Sequence, residues 1–309
     1  MSQVSLSISN FRRFIFHYLV PFLAMTVILL LLFTYLFEQK IILGSDIAGA
    51  YKVNRILNRG NDSEVAIIGS SRAQGGYIPD SICANAFNYG IDGTDINIHL
   101  MFLQRELMKH KSTPVIMNIE MEGFGYANGD PGNYLYNSTD PMVIEATKVH
   151  FSGIRRIPGI KYYGYFETYL KYYLNNKTNI TKVTNKGGSF ELNREDTTQF
   201  RMNVNRRLMW PAFFVHEGNL EKKLENLIST YPGRKIYLVI PPYHSSFTST
   251  FLNKADFNGF LQYFDRYPNV RVIDFSEMKL ADDCFYNTTH LNYKGAGIFS
   301  RALRDTLSF

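Results

Sequence analysis

The sequence predicts an α/β protein: a three-layer fold with a parallel sheet between flanking helices, preceded by one N-terminal transmembrane helix. Three observations predict it. From Phe14 to Phe37 there is no charged residue, and the middle of that stretch is purely apolar. After it, short apolar runs bounded by Gly or Pro alternate with longer stretches of helical spacing. That alternation produces parallel strands joined by right-handed crossovers. Finally, the alternation stops between about 124 and 215, a gap too long for a plain connection.

The first element is the apolar stretch. A helix rises 1.5 Å per residue, so about 20 apolar residues cross a hydrocarbon layer of about 30 Å. Arg12 and Arg13 precede the stretch, whereas Glu38 and Lys40 follow it and cancel. The positive-inside rule places residues 1–13 in the cytoplasm and the main domain outside the membrane. The segment 14–37 is read as an uncleaved signal anchor rather than a signal peptide. The apolar cores of signal peptides are shorter, and the small residues Ala48-Gly49-Ala50 lie far past this one. Residues 38–61 are read as a linker and 62–309 as one extracytoplasmic domain.

Within that domain, Val65–Gly69 and Ala86–Tyr89 read as strands, each closed by glycine. Residues 95–109 follow as a helix, and Val115–Ile119, set off by Pro114, as a third strand. The insertion, about 124–215, is rich in Tyr, Asn and Lys and holds helical segments near 141–150 and 161–174. Its tyrosines, including Tyr162-Tyr163 and Tyr172-Tyr173, either pack the insertion onto the sheet or line a sugar or acyl groove. Then come a helix at Leu220–Ile228, a strand at Lys235–Ile240 stopped by Pro241-Pro242, and a helix at 255–265. A strand at Val270–Phe275 and a closing helix at 293–307 complete the chain.

Composition excludes several classes. The chain has 309 residues, 45% hydrophobic and 19% charged, which no disordered chain has. Two cysteines, Cys83 and Cys284, are too few for a disulfide scaffold. They could pair outside the cytoplasm, but the adopted reading leaves them free. The net charge of +6 is diffuse and forms no Lys/Arg stripe, so nucleic acid is not an expected partner. No His/Cys/Asp spacing suits a metal, and no cofactor is expected.

In open α/β sheets the site lies at the carboxyl ends of the strands. Three such ends carry reactive residues. Gly69-Ser70-Ser71-Arg72 follows the first strand, where a serine on a tight strand-to-helix turn exposes its hydroxyl and frees its N–H. An ordinary Ser helix cap looks the same. Asn88-Tyr89-Gly90-Ile91-Asp92-Gly93-Thr94 follows the second strand, where glycine lets the backbone approach a ligand. Asn287-Thr288-Thr289-His290-Leu291-Asn292 precedes the last helix and supplies a candidate general base. Each signal is weak alone; their order is specific.

The three blocks resemble those of the SGNH/GDSL family of serine esterases and acyltransferases, over residues 62–123 and 216–307. The first resembles Gly-Asp-Ser with Ser70 in place of Asp, which implies Ser71 as nucleophile. The second resembles Asn-x-x-Ile-x-Gly-Asp-Thr and implies an oxyanion hole from the N–H groups of Ser71 and Gly93. The last resembles Asp-x-x-His-Leu-Asn and implies His290 as base. The Gly-Ser-Ser opening, the anchor and Pro-Pro-Tyr-His at 241–244 resemble the cell-envelope branch, with proteins of D-alanyl-lipoteichoic acid transfer and alginate O-acetylation. The implied fold is flavodoxin-like. The implied function is a membrane-anchored serine esterase or O-acyltransferase on an acylated envelope glycan or polymer. A non-catalytic partner of a membrane-bound O-acyltransferase is the alternative.

Two departures from the family stand out. The third strand ends Asn118-Ile119-Glu120-Met121-Glu122, without the family's Gly-x-Asn-Asp. The triad Asp position is Asn287. Asp283, Asp282 or Asp274 would be a replacement acid, or Asn287 would only position a Ser-His dyad, or turnover would be weak. Arg72 is read as either a contact to a substrate phosphate or carboxylate, or a salt bridge pinning the turn. His244 is read as a surface-loop residue, with a place beside the site as the alternative.

Overall fold

The computed structural model describes residues 10–37, 40, 49–58, 63–109, 112–125, 140–147, 166–175, 184–191, 193 and 197–307. The first element is a continuous helix, α1 (Asn10–Phe37), long and apolar enough to cross a membrane. Its side chains are exposed except near the end, where Thr34 and Phe37 are buried. The rings of Phe33 and Phe37 pack on Phe166 at centroid distances of 5.5 and 4.9 Å.

The elements that follow are α2 (Ala50–Asn58), β1 (Val65–Ile68), α3 (Ser71–Gly76), α4 (Pro79–Ile82) and β2 (Ala86–Asn88). Next are α5 (Ile96–Leu107), β3 (Val115–Asn118), β4 (Gly123–Phe124), α6 (Pro141–Ala146), α7 (Phe166–Asn175) and α8 (Thr197–Met209). The chain closes with β5 (Val215–His216), α9 (Gly218–Thr230), β6 (Ile236–Ile240), α10 (Ser245–Thr248), α11 (Lys254–Asp265), β7 (Val270–Asp274) and α12 (Tyr293–Thr306).

The fold class is the predicted one. Five parallel strands form a sheet in the order β2-β1-β3-β6-β7. Successive side chains on a strand point to opposite faces, and the core divides accordingly. Ala66, Ile68, Val115, Met117, Leu238 and Ile240 face a cluster that holds α2, α5, α9 and α11. Val65, Ile67, Ile116, Tyr237 and Val239 face α3, α4 and α12. Strands buried on both faces read as unbroken apolar runs, which is why they were legible. Burying one Val, Leu, Ile or Phe contributes about 1.5–3 kcal/mol, so this two-sided packing holds the strand ends in fixed register.

One boundary differs from the sequence reading. The span 38–61, read as a linker, contains α2, whose Val53, Ile56 and Leu57 are buried in the larger cluster. Their i, i+3, i+4 spacing makes one apolar face, and the sheet supplies its partner. The two ends of the insertion are tied to each other: β4 and β5 pair as a short parallel ribbon separate from the main sheet, Gly123 with Val215 and Phe124 with His216. Helical segments stand at 141–146 and 166–175. Tyr162, Tyr163 and the side chains of Tyr172 and Tyr173 lie outside the described residues.

Candidate functional site

The first block is a tight strand-to-helix turn. Gly69 leaves β1 where a Cβ would sit 2.7 Å from the Cβ atoms of both Ala73 and Asn118. Only glycine lets α3 start this close to the sheet. Ser70 is the helix cap: its hydroxyl oxygen accepts the Arg72 N–H at 3.2 Å, while its O–H donates to the Glu120 carboxylate. Ser71 is thereby the first helical residue, half-buried, with its hydroxyl directed away from the cap.

The second block lies against the first because β2 pairs with β1. The Tyr89 N–H donates to the Ile67 carbonyl at 2.7 Å and the Ile91 N–H to the Gly69 carbonyl at 3.0 Å. Asn88, fully buried, clasps the two blocks: its amide donates to the carbonyls of Ala73 (2.7 Å) and Tyr77 (3.0 Å), and its oxygen accepts the Gly90 N–H at 2.8 Å. A Cβ on Gly90 would lie 2.4 Å from the Gln74 nitrogen. Gly93 has φ +72°, a left-handed conformation that favours glycine. The N–H groups of Ser71 and Gly93 have no hydrogen-bond acceptor among the described residues, so both are open to a ligand.

The third block is a tight loop closed by an antiparallel bridge between Phe285 and Leu291. Asn292 caps α12 by accepting the Gly295 N–H at 3.1 Å. A Cβ on Gly295 would meet the Cys284 carbonyl at 2.1 Å. The loop presents His290 so that its Nε2 lies 3.0 Å from Ser71 Oγ, across 219 residues of sequence.

The other ring nitrogen, Nδ1, lies 3.1 Å from Asn287 Oδ1 and 3.0 Å from the Thr289 hydroxyl. The orientation of the Asn287 amide follows from its neighbours. The Thr289 and His290 backbone N–H groups point at it from 3.0 and 2.9 Å, and both can only donate. The atom they meet must be the oxygen. An acceptor facing Nδ1 keeps the proton on that nitrogen and leaves the Nε2 lone pair for Ser71.

The replacement acids do not reach the ring. Asp283 pairs with Lys294 at 2.5 Å with its carboxylate 65% exposed, and Lys294 holds its pKa below the usual range. Asp282 lies 3.2 Å from His244, and Asp274 accepts the Ser276 N–H at 2.8 Å. The loop holds Asn287 under the ring and leaves the neighbouring acids facing elsewhere.

Arg72 departs from one of its two readings, the salt bridge. It is buried (5% exposed) and makes no ion pair among the described residues. Its guanidinium lies 3.4 Å from the Tyr243 ring centroid and donates to the Pro242 carbonyl at 3.3 Å. The cation lines a small pocket with Thr289 and His290, and its field reaches the ring. Burial first, and then the Arg72 charge, push His290 down to about 4. Glu120 is shifted the other way: burial and then the Glu122 charge raise it, opposed by Arg72 and the Ser70 hydrogen bond.

His244 is buried rather than on a surface loop. It caps α10, with Nδ1 2.8 Å from the Ser246 hydroxyl, and its ring stands edge-on to Phe200 and Phe285. Cys83 and Cys284 are free thiols, both raised by burial.

Sequence reasoning passed over several groups that complete the site. Asn88 and Tyr243 stand inside quoted motifs without an assigned task. Thr289 shares the imidazole with Asn287. His99, on α5, lies 3.0 Å from the Thr94 hydroxyl, which itself donates to the Ile91 carbonyl at 2.6 Å. His99 Nε2 therefore carries the proton and supports the loop of the second block from behind. Lys52 of α2 donates to the Gly90 carbonyl. These contacts span from 1 residue (Thr289 to His290) to 38 (Lys52 to Gly90), and no local pattern assigns the side chains their partners.

Beside the oxyanion loop opens a cleft of about 250 Å³, lined by Thr94, Asn118, Glu120, Glu122, Phe124 and Glu217 among others. Its carboxylates favour a polar, hydroxyl-bearing ligand over an acyl chain. Among the described residues no group of three or more metal-ligating side chains occurs.

The two lowered histidines set an expected pH dependence. His99 is also pushed down to about 4 by burial. The unfolded chain, with His near 6.5, then binds more protons than the fold between about pH 6.5 and 4. Stability contributed by neutral histidine is complete above 6.5 and is lost as pH falls through that window. Urea denaturation midpoints should fall from pH 7 to pH 4.5, and by less in His290→Gln. An equal fall in that variant would show that His290 is not buried in its neutral form.

The chain matches no family model and no curated protein. A solved structure from Streptococcus pneumonia, described as "a putative platelet activating factor", superimposes with a TM-score of 0.42 at 13% identity. The match covers 89% of this chain and 97% of the other. A likeness at that level adds nothing to the geometry above.

Proposed function

We propose that the protein is a membrane-anchored serine esterase or O-acyltransferase acting on an acylated cell-envelope polysaccharide or polymer, with its N-terminus cytoplasmic and its main domain outside. The observation that carries the reading is the alignment of Ser71 Oγ, His290 and Asn287 Oδ1, with Nε2 as the acceptor. In the proposed reaction His290 takes the Ser71 proton while Oγ bonds to an ester carbonyl carbon. The N–H groups of Ser71 and Gly93 receive the oxyanion. Collapse expels the alcohol, which takes the proton from His290, and leaves an acyl-serine. Water or a glycan hydroxyl then gives up a proton to His290, attacks the acyl carbon, and Ser71 is released. Each oxyanion donor is worth about 2.7–4 kcal/mol of transition-state stabilisation. The test is labelling of the full chain in membranes with a fluorophosphonate probe: the adduct is expected on Ser71. An adduct on another serine overturns the assignment.

A second reading has one observation in its favour. The His290 ring faces an amide instead of a carboxylate, and a buried cation adds to the cost of imidazolium. A chain so arranged would serve a membrane-bound O-acyltransferase as a non-catalytic partner.

A further inference from the structure

We infer that the outer face of α8 and the turn after it, centred on Trp210, lie in the headgroup layer of an anionic bilayer. The inference rests on α1 crossing the membrane and is independent of the chemistry proposed for Ser71.

Helix α8 has two faces. Phe200, Val204 and Arg207, at i, i+4 and i+7, turn inward: Phe200 is buried against His244 and the Arg207 guanidinium lies 5.0 Å from the Phe247 ring centroid. The opposite face has no such partner. Met209 and Trp210 are 69% and 73% exposed, and Met202, Leu208 and Phe213 are exposed with them. Monomeric soluble domains seldom expose so many large apolar side chains together. Arg201 and Arg206 stand exposed on the two flanks of this face, and no acidic residue occurs from Thr197 to His216, a stretch bounded by Asp196 and Glu217. Aromatic and long apolar side chains beside unopposed arginines suit the membrane interface, where apolar atoms enter the acyl boundary and cations meet lipid phosphates.

The α8 face and the entry from the membrane helix lie at the same edge of the sheet. α8 packs on α10, which begins a few residues after the carboxyl end of β6. α2, into which the chain passes after α1, is tied to the same edge of the sheet by Lys52 on the Gly90 carbonyl. The end of α1 is itself packed against the domain through Phe37. The carboxyl edge thus carries the entry from the membrane helix, the α8 face and Ser71 together.

Trp210 is the single tryptophan of the chain, so its fluorescence reports this face alone. The full chain is reconstituted into phosphatidylglycerol–phosphatidylcholine vesicles containing lipids brominated near the headgroup. The expected result is co-flotation, a loss of about half of the emission to the brominated lipid, and poor quenching by aqueous iodide. Arg201→Glu with Arg206→Glu should co-float equally, lose most of the lipid quenching and regain iodide quenching. Co-flotation with Trp210 open to iodide and untouched by brominated lipid overturns the inference alone. Shielding from iodide without lipid quenching also overturns it, and dependence of that shielding on protein density would assign the face to a second copy. Unchanged lipid quenching in the double variant overturns the anionic headgroup as partner. Failure to co-float overturns the anchor and the inference together.

Discussion

Ser71→Ala is expected to abolish acyl-enzyme formation, with turnover of an activated ester falling roughly 10⁴- to 10⁶-fold. The size follows from the proposed role: the hydroxyl is the atom to which the acyl group would bond, and among the described residues no other hydroxyl contacts His290 Nε2. The fold should tolerate the change. Among the described residues Ser71 Oγ meets only His290, whereas the cap that starts α3 is the neighbouring Ser70. The decisive measurement pairs ester turnover with envelope acylation in cells carrying the variant. Loss of both, at an unchanged melting temperature, is the expected outcome. Acylation that survives Ser71→Ala but not deletion of the chain would assign the protein to the accessory role.

Asn287→Asp is expected to act in the opposite direction. The Asn287 oxygen already accepts two backbone N–H groups and faces Nδ1. Its Nδ2 makes no hydrogen bond among the described residues, so a carboxylate oxygen there displaces no donor. The added charge would favour imidazolium against burial and Arg72, and each pKa unit regained is worth about 1.4 kcal/mol. In serine proteases, exchange of the corresponding carboxylate for an amide costs about 10⁴-fold, chiefly through the wrong tautomer. Here the tautomer is already the productive one, so the gain should be smaller, about 10- to 100-fold in fluorophosphonate inactivation rate at pH 7. The working form of His290 is neutral, so the acid limb of the rate profile follows its pKa. That limb should stand near pH 4 in the native chain and move up in the variant. An unmoved limb would show that His290 is not the base.

These two residues also mark the division between what was legible and what was not. β1, β2, β3 and β6 were legible because each is buried on both faces, so that Val65-Ala66-Ile67-Ile68 or Ile236–Ile240 stands as an unbroken apolar run, whereas β7, with Arg271 exposed, was legible by alternation. Gly69, Gly90 and Gly295 were legible as punctuation, and their reasons became clear only in space: a neighbouring atom occupies the place of each missing Cβ. Helix α2 was missed because it is only nine residues long, although Val53, Ile56 and Leu57 are spaced along one face. Its partner surface is the sheet, which local sequence does not contain.

By itself the sequence determined the α/β class, the apolar N-terminal helix and the order of three candidate blocks. All of these are set by periodicity and composition over windows of ten to twenty residues. The tertiary structure alone decided which groups meet: that Asn287, not Asp283, faces Nδ1; that Arg72 lies under the site against Tyr243; that Glu120 holds the cap serine. The physical reason is one of range. Backbone propensity and apolar spacing act between neighbours in the chain, whereas a proton-transfer contact depends on tenths of an ångström between side chains that the sheet register and two packed cores bring together.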